Sequence, residues 1–267
     1  MYLHSPTGGA ELGTQRRTVV TIIDDDGDDC DVNVVAPKYI VPYGQIPSLL
    51  LKRNRCNGKR SHHNIFFAVA QRESDDEKFS MTFNATAKGS TAEVPFYLSG
   101  IADVGQYNVH VYQVASGGLL GSYFSDFALS KSMPTMQRVD SAVNFTWSQE
   151  MASSVRWNGF IKTPDTSLPC CAFHVEADNA RLWVNNFLII DEWHQSVTGS
   201  STSGFYNLGD KDDIHEITLE VRQFNSWPSI KLMWDAENGI DVIQSNYLLF
   251  KVRSVEDVVK IQVMTTF

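Results

Sequence analysis

The residues able to do chemistry fall into a few tight groups. The densest is Asp24-Asp25-Asp26-Gly27-Asp28-Asp29, whose adjacent carboxylates repel one another unless a cation or water lies between them. By charge count Asp24, Asp25, Asp26 and Asp28 are the best calcium ligands in the chain, and the plain alternative is a solvated linker. The opposite charge gathers in Lys52, Arg53, Arg55, Lys59 and Arg60, a basic stretch suited to an exposed hairpin tip or to docking an acidic partner. His62 and His63 follow it. Asp191 and His194 bracket Trp193 at a strand end and supply two members of a hydrolytic triad, but no G-x-S-x-G elbow accompanies them. A P-loop, a dinucleotide fingerprint and an H-E-x-x-H motif are also missing from the sequence. The expectation is a protein that is not an enzyme.

Two sequons, at Asn84 and Asn144, would accept glycans in a secreted chain. The cysteines leave two readings open. Cys171 is a small apolar core residue and Cys30, Cys56 and Cys170 are free thiols, or Cys30 and Cys56 form a bridge. The neighbours Cys170 and Cys171 are too close to bond each other without strain, and no C-x-x-C spacing suggests zinc.

These groups must be carried by strands. Ile217 to Arg222, Ile230 to Asp235 and Tyr107 to Val111 alternate apolar and polar residues with period two. Clusters such as Ala87-Lys88-Gly89-Ser90, Ser116-Gly117-Gly118 and Glu237-Asn238-Gly239 separate the runs as turns. No window reads as a long capped helix. The fold class is all-β, built as tandem β-sandwiches.

Composition agrees. The chain has 267 residues, 43% hydrophobic and 20% charged, with 11% aromatics, enough to build real cores. Its net charge of −9 disfavours nucleic acid and anionic membrane surfaces as partners. No apolar run approaches the ~20 residues that span a bilayer, so membrane insertion is not expected. Met1 to Leu12 lack the basic start and apolar centre of a secretory signal.

In the second half the sequence carries Val155-Arg156-Trp157-Asn158-Gly159, then Arg181-Leu182-Trp183-Val184, Leu188-Ile189-Ile190-Asp191-Glu192-Trp193 and, late, Ile230-Lys231-Leu232-Met233-Trp234. Together and in this order they resemble the PA14 domain, a β-sandwich of bacterial toxins, yeast adhesins, glycosidases and cell-surface proteins. The resemblance implies that Trp157, Leu182, Val184, Leu232 and Trp234 enter a core while Trp183 faces outward. In sugar-binding members an Asp-Asp pair before the "RLW" strand holds calcium, which grips sugar hydroxyls. Here that pair falls at Ala177 and Asp178, so one carboxylate is gone and calcium is the only cofactor in view, with a depleted ligand set. Asp178, Asn179 and Arg181 are the glycan-contact candidates that remain.

Elsewhere the likeness is looser. Gly105 to Val111 with its Gly-Gly turn resembles the closing hairpin of a filamin-type immunoglobulin-like repeat. Thr18 to Asp26 resembles the last strand and acidic tail of a Calx-β domain. The expected organisation is therefore 1–35 as a partial Calx-β-like strand, 36–116 as a filamin-like sandwich, 117–250 as a PA14-like sandwich, and 251–267 as an edge strand or the start of a further element. The expected function is a structural or adhesive segment of a large modular protein at the cell surface, meeting glycans or neighbouring protein chains. The alternative is an intracellular cytoskeletal or ciliary scaffold, and a calcium-dependent lectin comes third. Arg17–Ile23 and Val258–Val263 are strand-like runs without obvious partners, so at least one is expected to pair outside the chain.

Overall fold

The structure, a computed structural model, describes residues 31–36, 40–54, 65–74, 78–84, 92–97, 103–129, 133–146, 152–164, 172–194, 200–209, 213–222, 229–236 and 239–265. The aspartates at 24–29, the basic residues Arg55, Lys59 and Arg60, His62, His63, the four cysteines and the run Arg17–Ile23 lie outside the described residues.

The architecture is all-β. The first part of the chain forms β1 (Asp31–Val35), β2 (Ile40–Pro42), β3 (Ser48–Asn54), β4 (Ile65–Arg72), β5 (Lys78–Asn84), β6 (Ala92–Tyr97) and β7 (Gly105–Ser116). There follow β8 (Leu119–Phe124), β9 (Met136–Asp140), β10 (Asn144–Thr146), β11 (Ser154–Lys162), β12 (Ala172–Ala177) and β13 (Asn179–Val184). The remainder is β14 (Phe187–Asp191), β15 (Ser200–Phe205), β16 (Ile214–Arg222), β17 (Ser229–Ala236), β18 (Gly239–Val242) and β19 (Leu248–Met264).

These strands make three sheets. A small one runs β1-β3-β6, and a second runs β10-β17-β12-β15 with β18 also on β17. The third has 11 strands, along β14-β13-β16-β11-β19-β7-β4-β5, with β8 and β2 on its flanks and β9 on β8.

The period-two pattern explains the core of the second half. In β12, Phe173, Val175 and Ala177 are buried, and in β17 Ile230, Leu232 and Trp234 are buried, so both strands present one apolar face. That face meets Trp157 of β11, Leu182 and Val184 of β13 and Leu219 of β16 across the sandwich. All five side chains expected in this core are there, and Trp183 alternates outward to a half-buried position. Met233, which interrupts the apolar–polar alternation in composition, keeps it in space because it faces away from the core.

The first half makes a second sandwich. Leu49 and Leu51 of β3 pack on Phe66, Ala68 and Ala70 of β4, on Val109 and Val111 of β7, and on Val259, Ile261 and Val263 of β19. The last three bear on an expectation. Val258–Val263 is not left without a strand to pair with: it belongs to β19, which pairs with β7 in the large sheet. That strand is antiparallel to β7 along most of its 17 residues and parallel to β2 at Gln262–Met264. Over Val259–Ile261 the pairing is with β7 on one side, and β2 joins the other side from Gln262.

One strand therefore serves both sandwiches. Leu248 and Leu249 pair with Ile161 and Phe160 of β11 before the strand crosses to β7. Register breaks between Lys251 and Arg253, and between Val255 and Val259, bend it on the way. At the crossing, Phe67 and Phe160 lie 4.5 Å apart by ring centroid in a cluster with Val114, Ile214 and Leu249. Among the described residues no helix is long and apolar enough to cross a membrane.

Candidate functional site

The sequence pointed first to the junction of β12 and β13. Ala177, Asp178 and Asn179 are each 4% exposed there. The Asn179 amide donates to the backbone carbonyl of Glu192 at 3.1 Å, while Glu192 N donates to the Ala180 carbonyl at 2.8 Å. These bonds tie the start of β13 to the end of β14, so Asn179 is a brace between strands. Glu176 faces the other side of the sheet, as strand alternation requires, and is held by Lys231 at 2.8 Å. That contact keeps the Glu176 carboxyl below its ordinary range.

Arg181 is committed in a similar way. It donates to Glu220 at 2.5 Å, and Arg156 reaches the same buried carboxylate at 2.6 Å. The Arg181 guanidinium also lies 4.1 Å from the ring centroid of Trp193 and 5.1 Å from that of Trp183. Arg222 stacks on Trp193 at 4.4 Å and donates to its carbonyl. Two cations, Arg181 and Arg222, share one indole, the Glu220 carboxylate anchors the first, and Trp193 is buried at 6% exposure. Of the Asp191-Trp193-His194 stretch only Trp193 is buried; Asp191 accepts from the Trp193 backbone N–H at 3.4 Å, and Asp191 and His194 are exposed.

Calcium does not fit the junction. Asp178 stands alone where the sugar-binding pattern needs two carboxylates, with Ala177 beside it and Glu176 turned away. Among the described residues no three His, Cys, Asp or Glu side chains converge as a metal shell. Calcium asks for six to eight oxygen ligands with several negative charges, and this donor set does not supply them.

Of the other candidates, Asn144 opens β10, exposed, with Thr146 of its sequon exposed two residues on. Asn84 ends β5, and Lys52 and Arg53 lie within β3.

The structure also shows a group that the sequence reading passed over. The turn from β13 to β14 is Asn185-Asn186, with φ of 48° and 66°, left-handed positions that asparagine tolerates better than most residues. Asn185 is fully engaged. Its Oδ1 accepts from Glu216 N at 2.9 Å, and its Nδ2 donates to Tyr206 Oη at 3.1 Å and to His215 Nδ1 at 2.9 Å. His215 Nε2 donates to the Leu208 carbonyl at 2.6 Å, which fixes the neutral tautomer with Nδ1 as acceptor. Burial lowers the His215 pKa, opposed in part by the Leu208 carbonyl and Asp213. On this braced turn stand Phe187, 65% exposed, and Leu188, 46% exposed, with the Tyr206 ring 6.0 Å from that of Phe187. The Asn-Asn pair between two apolar runs was the sequence signal for it.

Comparison with known proteins now separates the expectations. Residues 115–246 match the PA14 domain family. This part of the chain is a PA14 domain. A curated relative, the anti-sigma-I factor RsgI3 of Acetivibrio thermocellus, is 31% identical over 130 residues, which is 45% of this chain. The chain spans about a fifth of that relative, 19% of its length. Among solved structures, an anti-sigma factor domain-containing protein is similar at 20% identity and a TM-score of 0.46, covering 83% of this chain and 91% of its own. A second, from Clostridium clariflavum, gives 18% identity, a TM-score of 0.43 and coverage of 86% and 93%. A PA14 sugar-binding domain from an RTX adhesin gives 12% identity, a TM-score of 0.41 and coverage of 50% and 98%.

The functional expectation is corrected by this. The curated relative of the chain is an anti-sigma factor, not an adhesive modular protein or a cytoskeletal or ciliary scaffold. A β-sandwich serves ligand detection as well as it serves adhesion, and the surface pattern alone did not separate the two. For the PA14 domain itself, the strands and core residues read from the sequence are those that position it.

Proposed function

We propose that the chain is a carbohydrate-recognising segment of an anti-sigma-factor-like protein, working outside the cytoplasm where polysaccharides are met. The observation that carries this is the 31% identity over 130 residues to an anti-sigma-I factor, in a chain whose second half is a PA14 domain. In this reading sugar is held directly by side chains, because Ala177 stands where the calcium-bridged mode needs a carboxylate. Asp178, Asn179 and Arg181 then act as the frame that fixes β13, through the Asn179–Glu192 bond and the Arg181–Glu220 pair. The first sandwich, read as an immunoglobulin-like unit of the filamin type, holds the PA14 domain at a set orientation through β19. The proposal includes no catalysis.

The test is retention of the purified chain on immobilised polysaccharides: cellulose, xylan, glucomannan, mixed-linkage β-glucan and polygalacturonate. Retention on at least one, released by the matching soluble oligosaccharide, is expected. Elution in the void volume from every matrix would overturn the reading.

A further inference from the structure

We propose that the β13–β14 turn, with Phe187 at its tip and Tyr206 and Leu188 beside it, is the sugar-contacting surface, and that its ligand is an uncharged pyranose polymer. This rests on the carbohydrate reading above and adds its location and the charge class of its ligand.

Three observations converge. First, Phe187 is 65% exposed although the turn bearing it is braced by hydrogen bonds. Asn185 makes side-chain bonds to Tyr206, His215 and the Glu216 backbone, and its own N–H donates to the Glu216 carbonyl at 2.9 Å. A large apolar side chain carried on a backbone fixed in this way leaves only its own rotamers to be ordered when a ligand covers it, which is what preorganisation requires. Second, the rings of Phe187 and Tyr206, inclined at 41° with centroids 6.0 Å apart, make a short aromatic ledge. The C–H face of a pyranose ring packs on such a ledge, while its equatorial hydroxyls reach the exposed carboxamide of Asn186. Third, the segments that build the ledge, 185–188 and 206–208, contain no charged residue, in a chain of net charge −9. An acidic polymer finds no cation there, and a neutral one faces no desolvated charge.

The position also differs from the junction at Ala177-Asp178. The strand β13, Asn179–Val184, separates the two, and six residues of strand span about 20 Å.

The experiment is affinity gel electrophoresis of the full chain in gels containing xylan, glucomannan, mixed-linkage β-glucan or polygalacturonate, comparing wild type, F187A and F205A. Phe205, the last residue of β15, is equally exposed at 65%, makes no ring pair with Phe187 and is not part of the ledge, so it serves as the control for loss of a surface phenylalanine. The expected result is retardation of wild type and F205A by a neutral polymer, and at least a tenfold weaker affinity for F187A with unchanged thermal stability. If wild type is retarded but F187A is retarded equally, or if only polygalacturonate retards the chain, this site assignment is wrong while the carbohydrate reading survives. If no polymer retards wild type, both fall. Light scattering on the same samples covers the remaining occupant: a wild-type dimer that F187A converts to monomer would assign the ledge to self-association and overturn the proposal.

Discussion

Asp140 and Trp157, both buried, are joined by a hydrogen bond from the indole Nε1 to the carboxylate Oδ2 at 2.7 Å. The same oxygen accepts from Tyr123 Oη at 2.5 Å, and Arg138 Nε donates to the other at 2.6 Å. Burial and the neighbouring Asp140 carboxylate push the Tyr123 phenol far above its ordinary range, so it stays a donor. Gly121 lies against the group: a Cβ there would come within 2.6 Å of Asp140 Oδ2 and 2.9 Å of Trp157 Nε1. A polar knot thus fixes the largest core side chain of the PA14 domain. Removing its acceptor takes the carboxylate away from the Trp157 and Tyr123 donors and the counter-charge away from Arg138. Asp140→Ala should destabilise the chain by ~3–5 kcal/mol, and chemical denaturation will show it as a lower midpoint at similar slope. A shift below about 1 kcal/mol would mean that the knot is surface decoration.

The junction of the two sandwiches predicts cooperative unfolding. Phe160 is 5% exposed and packs on Phe67, so Phe160→Ala removes much of the contact between the units as well as core volume. A loss of ~3–5 kcal/mol is expected. In calorimetry the wild-type chain should melt in one transition, and the variant should separate into two. Two transitions in the wild type would show that β19 does not couple the units.

His215 gives a pH dependence of known sign. Its folded pKa lies below the ordinary 6.5, chiefly through burial, so the unfolded chain takes up the proton first as pH falls. Its contribution is complete above about 6.5 and is lost as pH descends toward the folded value. Protonation would also place a hydrogen on Nδ1 facing the Asn185 amide, whose Oδ1 cannot turn to meet it without abandoning Glu216 N. Melting temperatures measured from pH 7.5 to 5 should fall more steeply for wild type than for His215→Gln. Parallel curves would contradict the assignment.

Calcium titration tests the depleted ligand set. Calorimetric isotherms of wild type and Asp178→Asn should coincide, with no micromolar site that depends on Asp178. A tight isotherm present in wild type and absent from the variant would restore a calcium-bridged mode.

Much of the PA14 domain was legible because burial follows local period. Trp157, Leu182, Val184, Leu232 and Trp234 alternate with polar neighbours, so their inward direction could be read before any pairing was known. What was not legible depends on register between distant strands. Asp140 sits among Gln137, Arg138 and Ser141 and looks like an exposed polar stretch until β9 pairs with β8 and brings it under Trp157. Val258–Val263 looked unpartnered because β7, its partner, lies some 150 residues earlier and local sequence does not encode that pairing. The turn at Asn185 was signalled by its residue types, but its bracing comes from Tyr206, just past β15, and from His215 on β16. Function was less legible than fold, since the same sandwich serves many roles.

The most direct measurement is the melting temperature of the full chain with and without saturating oligosaccharides prepared from the neutral polymers. A ligand that binds only the native state at a hundred times its Kd stabilises by about 2.7 kcal/mol. A sugar-recognising segment should therefore show a clear upward shift with at least one neutral oligosaccharide, and F187A should show none with the same one. An unchanged melting temperature across the whole set would contradict the account.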